Sequence, residues 1–183
     1  MILIGITGEI GSGKDTFSDH FLKISDKKIV RMRFSDILKE TLVQWSLPIT
    51  RHNLQYLAII MDREYGIGTL TNAIKERIKN QKADIVILEG IRWESDVDLL
   101  RSFEKSYLVY ITADQEKRFE RVKKRSEKIG ENNLTIERFK TEDKEPTETH
   151  ISKIGTGADL KIENNTTVEI FKSKIEDFYK SLF

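Results

Sequence analysis

The run Gly8-Glu9-Ile10-Gly11-Ser12-Gly13-Lys14-Asp15-Thr16, entered from the apolar stretch Ile2-Leu3-Ile4-Gly5-Ile6-Thr7, constrains this chain more than any other feature. An apolar strand feeding a glycine-rich turn, with a lysine where a helix opens, is an arrangement that cradles phosphate groups, and the run reads as a P-loop. Gly8, Gly11 and Gly13 let the backbone turn tightly and bring successive N–H groups towards phosphate oxygens, an approach that side chains would block. Lys14 adds a point charge for the outer phosphates, and the following helix adds the positive end of its dipole. Gly8, Gly11, Ser12, Gly13, Lys14, Asp15 and Thr16 are therefore the expected nucleotide contacts.

One position departs from the usual pattern, which places Ser or Thr directly after the lysine to hold Mg²⁺. Here Asp15 stands in that place and Thr16 follows. Hard carboxylate oxygens suit Mg²⁺, either directly or through a water. Asp15 and Thr16 are both candidate metal positions, and Thr16 is equally suited to an inner phosphate.

The chain has 183 residues and no long polar linker, which favours one domain with a sizeable core. Its 31 Lys+Arg against 30 Asp+Glu give no global field to attract nucleic acid, so nucleic acid is not an expected partner. The absence of cysteine excludes disulfides and thiolate metal sites and fits a cytoplasmic setting. The first apolar run is six residues long and follows no basic segment, too short for a signal peptide or a membrane span.

Beyond the loop, Phe17, Phe21, Leu22 and Ile24 recur at helical spacing, and Ile29 to Phe34 alternates in part like a strand. Strand, phosphate turn, helix and strand make a βαβ unit, so a parallel sheet with right-handed crossovers is expected. Ser35 or Asp36 can cap a helix from Ile37. Three helical patterns then follow in succession, at 37–46, 51–65 and 69–79, the last two separated by Gly66-Ile67-Gly68. They form a helical insertion over about 37–80, read either as a substrate-binding lobe or as a packing elaboration. Asp84 to Arg92 is a continuous apolar strand that suits a central place in a parallel sheet. Glu89 stands at its carboxyl end, where open α/β sheets place ligands, as a candidate for the metal shell with Arg92 beside it.

Tyr107 to Ile111 is a fourth strand, and a charged helix runs from Asp114 to Lys128. Arg118, Arg121 and Arg125 share one face of it. Two readings stand: guanidiniums closing over a polyphosphate, or a solvated helix laced with ion pairs. Residues 130–157 are polar and turn-rich and are expected to be the most mobile part, within a lid-like region of about 118–157. Ala158 to Ile162 is a short last strand. From Val168 to Phe183 a closing helix follows, with Ile170, Phe171, Ile175, Phe178, Tyr179 and Leu182 inward.

Together these segments resemble the P-loop kinases of nucleoside monophosphates and related small metabolites, above all the deoxynucleoside monophosphate kinase type, with dephospho-coenzyme A kinases and adenylate-kinase-related proteins as near relatives. The likeness rests on Gly13-Lys14-Asp15-Thr16, where that group also has Asp after the lysine, and on Phe34 to Glu40, Arg51 to Gln55, Glu89 to Glu94 and Ala158 to Asn164. It implies a three-layer α/β P-loop NTPase fold: a five-stranded parallel sheet with helices on both faces, a helical substrate lobe and a lid. ATP and Mg²⁺ are the implied cofactors and a small phosphorylated molecule the implied acceptor, in a monomer or a homodimer. On this likeness Asp36 meets the acceptor, Arg51, Gln55 and Arg92 hold it, Arg118, Arg121 and Arg125 belong to the lid side, and Asn164 lies near the adenine ring. Lys14, Asp36, Arg121 and Arg125 would carry the catalysis. A nucleotide-dependent switch is the rival from another class.

Overall fold

The computed structural model describes residues 1–125, 134–144 and 146–183, apart from the side chains of residues 51, 125, 142, 146 and 147. Strand β1 (Ile2–Thr7) leads through the glycine-rich loop into helix α1 (Lys14–Ile24), which returns the chain to strand β2 (Ile29–Arg33). Helices α2 (Phe34–Gln44), α3 (Arg51–Tyr65) and α4 (Thr69–Lys79) come next, before strand β3 (Ile85–Glu89). The remainder is helix α5 (Glu94–Arg101), strand β4 (Ser106–Thr112), helices α6 (Gln115–Arg125), α7 (Ile136–Glu142) and α8 (Pro146–Thr156), strand β5 (Leu160–Glu163) and helix α9 (Val168–Ser181).

All five strands are parallel in the order β2-β3-β1-β4-β5. The expected P-loop NTPase fold is thus the one observed. Because β1 is flanked by β3 and β4, the chain winds away from it in both directions, and the crevice at its carboxyl end is the topological switch point where such sheets place ligands.

Strand alternation sends side chains to two separate cores. Ile4 and Ile6 of β1 meet Phe17 and Phe21 of α1 and Phe171, Ile175 and Phe178 of α9. On the opposite face Leu3, Val86 and Leu88 meet Ile74 and Ile78 of α4, Leu99 and Leu100 of α5, and Ile154 of α8. Full burial of a phenylalanine such as Phe17 or Phe21 contributes about 2–3 kcal/mol, so these contacts hold α1, and with it the loop, against the sheet. Two inward assignments fail. Leu22, one residue past Phe21, and Ile170, one before Phe171, are exposed because a single residue step turns a helix by about 100°.

The insertion has a core of its own, in which Leu38 and Leu42 of α2 pack on Leu57 of α3. A fourth cluster joins Val122 of α6 to Leu134 and Phe139, with Ile10 of the loop against it. The polar, turn-rich segment of the sequence therefore contains two helices, α7 and α8. Apolar side chains hold them: Ile136 packs in one cluster with Phe139, while Ile151 and Ile154 of α8 are buried, Ile154 in the core on one face of the sheet. Helix α8 also comes close to the sheet, since a Cβ placed on Gly155 would lie 2.4 Å from the ring of Tyr110.

Candidate active site

The loop between β1 and α1 takes the shape its glycines allow. Gly11 has φ +78°, and a Cβ there would lie 2.5 Å from the carbonyl oxygen of Arg118, so neither the conformation nor the space admits a side chain. Lys14 curls back over the loop, and its Nζ donates to the carbonyl oxygens of Gly8 (2.6 Å) and Glu9 (2.9 Å). Loss of hydration, followed by the nearby Arg92 guanidinium, lowers the Lys14 ammonium to about 8, although Glu148, Asp15 and Glu9 pull the other way.

Beside the loop, two arginines of β2 link the two expected metal-shell acids. Residues 31 and 33 project to the same side of the strand, and Arg33 is the register partner of Glu89 on β3. Arg31 Nε donates to Glu89 Oε1 and Arg33 Nε to Glu89 Oε2, each at 2.6 Å, while the Nη2 atoms of both reach Asp15 Oδ1 at 2.5 Å. Arg31 Nη1 also bonds Asp19, and Ser18 donates to Glu89. Arg31, Arg33 and Asp36 line an open cleft of about 290 Å³.

Asp36 is the third residue of α2, and its Oδ2 accepts from the Arg33 backbone N–H at 2.8 Å. It therefore caps the helix from inside its first turn, and neither Ser35 nor Asp36 is the residue before the helix as the sequence suggested. Gln55 is exposed on α3. The side chains of Arg51 and Arg125 lie outside the described residues, so their expected roles in acceptor and lid contacts are not placed.

Arg92 pairs with Glu148, whose side chain α8 brings in almost fully buried. Trp93 packs on His150 with ring centroids 5.0 Å apart, and Lys153 meets Glu94 at 2.6 Å, which fixes α8 across the start of α5. Arg118 has its donors engaged within the protein. It is buried, donating to the carbonyls of Ala113 and Ile10 and bidentately to Asp143 at 2.7 and 2.6 Å, and so ties the loop to the end of α7. Arg121 lies on the loop side, with Nη2 donating to the Asn164 carbonyl at 2.7 Å. Asn164 in turn donates from Nδ2 to the Ser12 carbonyl at 2.9 Å.

Burial alone would raise the Asp143 carboxyl, but the hydrogen bonds from Arg118 and Gln115 and the Arg118 charge outweigh it and hold the group below the ordinary carboxylate range. A depressed carboxyl contributes stability above its unfolded value, lost as the pH falls through the folded one. Asp143→Asn is therefore expected to cost about 2 kcal/mol at pH 7. The deficit should shrink in thermal melts taken from pH 5 down to pH 3, and a deficit that stays constant over that range would contradict the pairing.

Among the described residues, four buried side-chain atoms find no hydrogen-bond partner: Glu9 Oε2, Ser12 Oγ, Arg121 Nη1 and Glu148 Oε2. Two belong to the loop itself. Arg121 reaches it through Asn164, and Glu148 lies within electrostatic range of Lys14. Unpaired buried polar atoms are costly, and their convergence on one loop marks a place shaped for a polar ligand. As for Mg²⁺, Asp15 and Thr16 supply hard oxygens beside the loop, and Mg²⁺ commonly takes one or two protein oxygens plus phosphate and water. The donor set fits. Glu89 already accepts three hydrogen bonds from Ser18, Arg31 and Arg33, which leaves it a supporting place around the ion.

Fold and loop together define a P-loop protein of kinase-like architecture. The chain matches the AAA domain family over residues 4–145 and belongs to it. It is 28% identical over 185 residues to the UPF0200 protein of Methanoregula boonei, covering 100% of this chain and 98% of that one. Identity is 29% over 180 residues to the UPF0200 protein of Sulfurisphaera tokodaii, with 98% and 97% covered. Among solved structures, shikimate kinase from Bacteroides thetaiotaomicron superposes with a TM-score of 0.64 at 11% identity, covering 98% of each chain. The Aquifex aeolicus shikimate kinase gives a TM-score of 0.52 at 16% identity, covering 98% of this chain and 97% of that one. At those identities the likeness concerns the fold. Among the described residues no helix is long and apolar enough to cross a membrane.

Proposed function

We propose that the protein is an ATP-dependent phosphotransferase that moves the terminal phosphoryl group to a small phosphorylated acceptor, as nucleoside and deoxynucleoside monophosphate kinases do. The observation that carries this reading is the loop itself. A lysine ammonium bonds to two carbonyls of its own turn, and of the four buried side-chain atoms without a partner among the described residues, two belong to the loop and one to Arg121, which bonds Asn164 beside it. Phosphates suit the donors of that arrangement, because they accept from Lys14, from the loop amides and from Arg121 at once, while the Glu9 and Glu148 carboxylate oxygens, acceptors themselves, call for a proton donor or a cation.

Phosphoryl transfer asks a protein chiefly for positioning and charge neutralisation. In this reading Lys14 and the loop hold the donor phosphates, and Arg121 lies on the donor side with Asn164. Asp15 and Thr16 would hold Mg²⁺, with Glu89 in support, and the ion would supply charge neutralisation for the phosphates. Asp36, at the rim of the open cleft, orients the acceptor hydroxyl or phosphate, and Arg92 takes the acceptor's anion once it parts from Glu148. Arg51, Gln55 and Arg125 complete the acceptor and lid contacts. Arg118 acts through the loop, since its donors are committed to Ala113, Ile10 and Asp143. The α2–α4 insertion serves as the acceptor lobe, and the segment from α6 to α8 as the lid.

An acceptor screen with ATP and Mg²⁺ tests the proposal. It covers the ribo- and deoxyribonucleoside monophosphates, dephospho-coenzyme A and shikimate, and reads ADP release. The expected result is acceleration of at least about tenfold by one nucleoside monophosphate over the acceptor-free rate. Acceleration by dephospho-coenzyme A or shikimate alone would keep the reaction type and move the acceptor class. Turnover indifferent to every acceptor, with partner binding that follows the bound nucleotide, would overturn the kinase reading in favour of a switch.

A further inference from the structure

Arg31 and Arg33 stand between Asp15 and Glu89 in a pattern that a cation bridging two carboxylates would also make. Each guanidinium donates one hydrogen bond to Glu89 and one to Asp15, and Glu89 receives one on each oxygen. Two guanidiniums bring the same two positive charges as one divalent ion, and they bring them fixed to a strand of the sheet. Like charges side by side repel, so the pair persists only because both acids, and Asp19 on Arg31, are present. A divalent ion that uses the same Asp15 oxygen competes directly with two arginines.

We propose that Arg31 and Arg33 are positioning residues that hold the place of a divalent cation between Asp15 and Glu89. The two acids then take no Mg²⁺ from solution by themselves, and the ion enters this site with a triphosphate whose oxygens supply the missing ligands. Only that last step rests on the nucleotide-binding reading. The guanidinium bridge and its effect on bare metal stand without it.

The test uses Mn²⁺ as the probe on the full chain without nucleotide, read by electron paramagnetic resonance of free ion and by the shift of melting temperature with added Mg²⁺. The wild type is expected to show no saturable site at millimolar ion. Arg31→Gln with Arg33→Gln should create one site, tighter than the wild type by about tenfold or more, and its melting temperature should rise with Mg²⁺. Adding Asp15→Asn should remove that site. Should the double variant not fold, Arg33→Gln alone carries the test, because Arg33 is the more exposed of the two, with a smaller gain of about threefold. Nucleotide-free wild type that binds Mn²⁺ as tightly as the variants would overturn the proposal, and so would variants that gain no affinity. A separate titration of wild type with ATP keeps this outcome distinct from failure of the phosphotransferase reading.

Discussion

Lys14→Met is expected to lower phosphoryl transfer by about a hundredfold to a thousandfold and, in the nucleotide-free protein, to raise thermal stability at pH 7. The loss of activity follows from removing a charge aimed at the outer phosphates. The gain in stability follows from the cost of crowding that charge against its own loop. An ammonium lowered from 10.5 to about 8 represents a penalty on the order of 3 kcal/mol at neutral pH. Losing the hydrogen bonds to Gly8 and Glu9 takes back about 1 kcal/mol each. The net gain is about 1 kcal/mol, or about 2–4 °C for a chain of this size.

The pH dependence has a definite sign. Between pH 8 and 10.5 the unfolded chain keeps a proton that the folded chain has released, so this lysine's contribution to stability rises with pH across that window. Melts at pH 7 and pH 10 should therefore show the advantage of Lys14→Met at the lower pH and its disappearance at the higher. Destabilisation at pH 7 would mean that the ammonium is well accommodated and that the loop is not held ready for an anion.

The second large effect concerns Glu89. Only 4% exposed, it is bonded by Ser18, Arg31 and Arg33. Glu89→Ala leaves two adjacent, partly exposed guanidiniums without the carboxylate that both Nε atoms address, though Asp15 and Asp19 remain. Removing this buried member of the network costs about 2–3 kcal/mol. Melting should fall by about 5–10 °C. Glu89→Gln keeps the shape and one acceptor and should lose roughly half as much. A change under about 1 kcal/mol in Glu89→Ala would show that Asp15 and Asp19 suffice to hold the arginines.

How far the sequence could be read depended on whether a feature was local. The loop and the sheet were legible because their signals sit within a few residues: glycines before a lysine, and apolar runs that only a buried parallel strand accommodates. Arg31 and Arg33 were missed as a site, although residues two apart on a strand share a face. Nothing local says that Glu89, 56 residues on, becomes the register partner of Arg33. Helices α7 and α8 were hidden in a segment read by its polarity, and the available signal was the spacing of Ile136 with Phe139 and of Ile151 with Ile154. Glu148, one turn before Ile151, follows from the same spacing. Arg118 and Arg121 sit three apart on α6, and only their distant partners decide what each does: Asp143 for Arg118 and the Asn164 carbonyl for Arg121.

The central claim, that the loop delivers a phosphoryl group to a small acceptor rather than to water, is tested most directly by ³¹P NMR of ATP, Mg²⁺ and the acceptor selected by the screen. ADP and a new phosphorylated product are expected in equal amounts, with inorganic phosphate a minor signal, and neither product with Lys14→Met. Inorganic phosphate growing in step with ADP, with no new phosphorylated species for any acceptor, would contradict it.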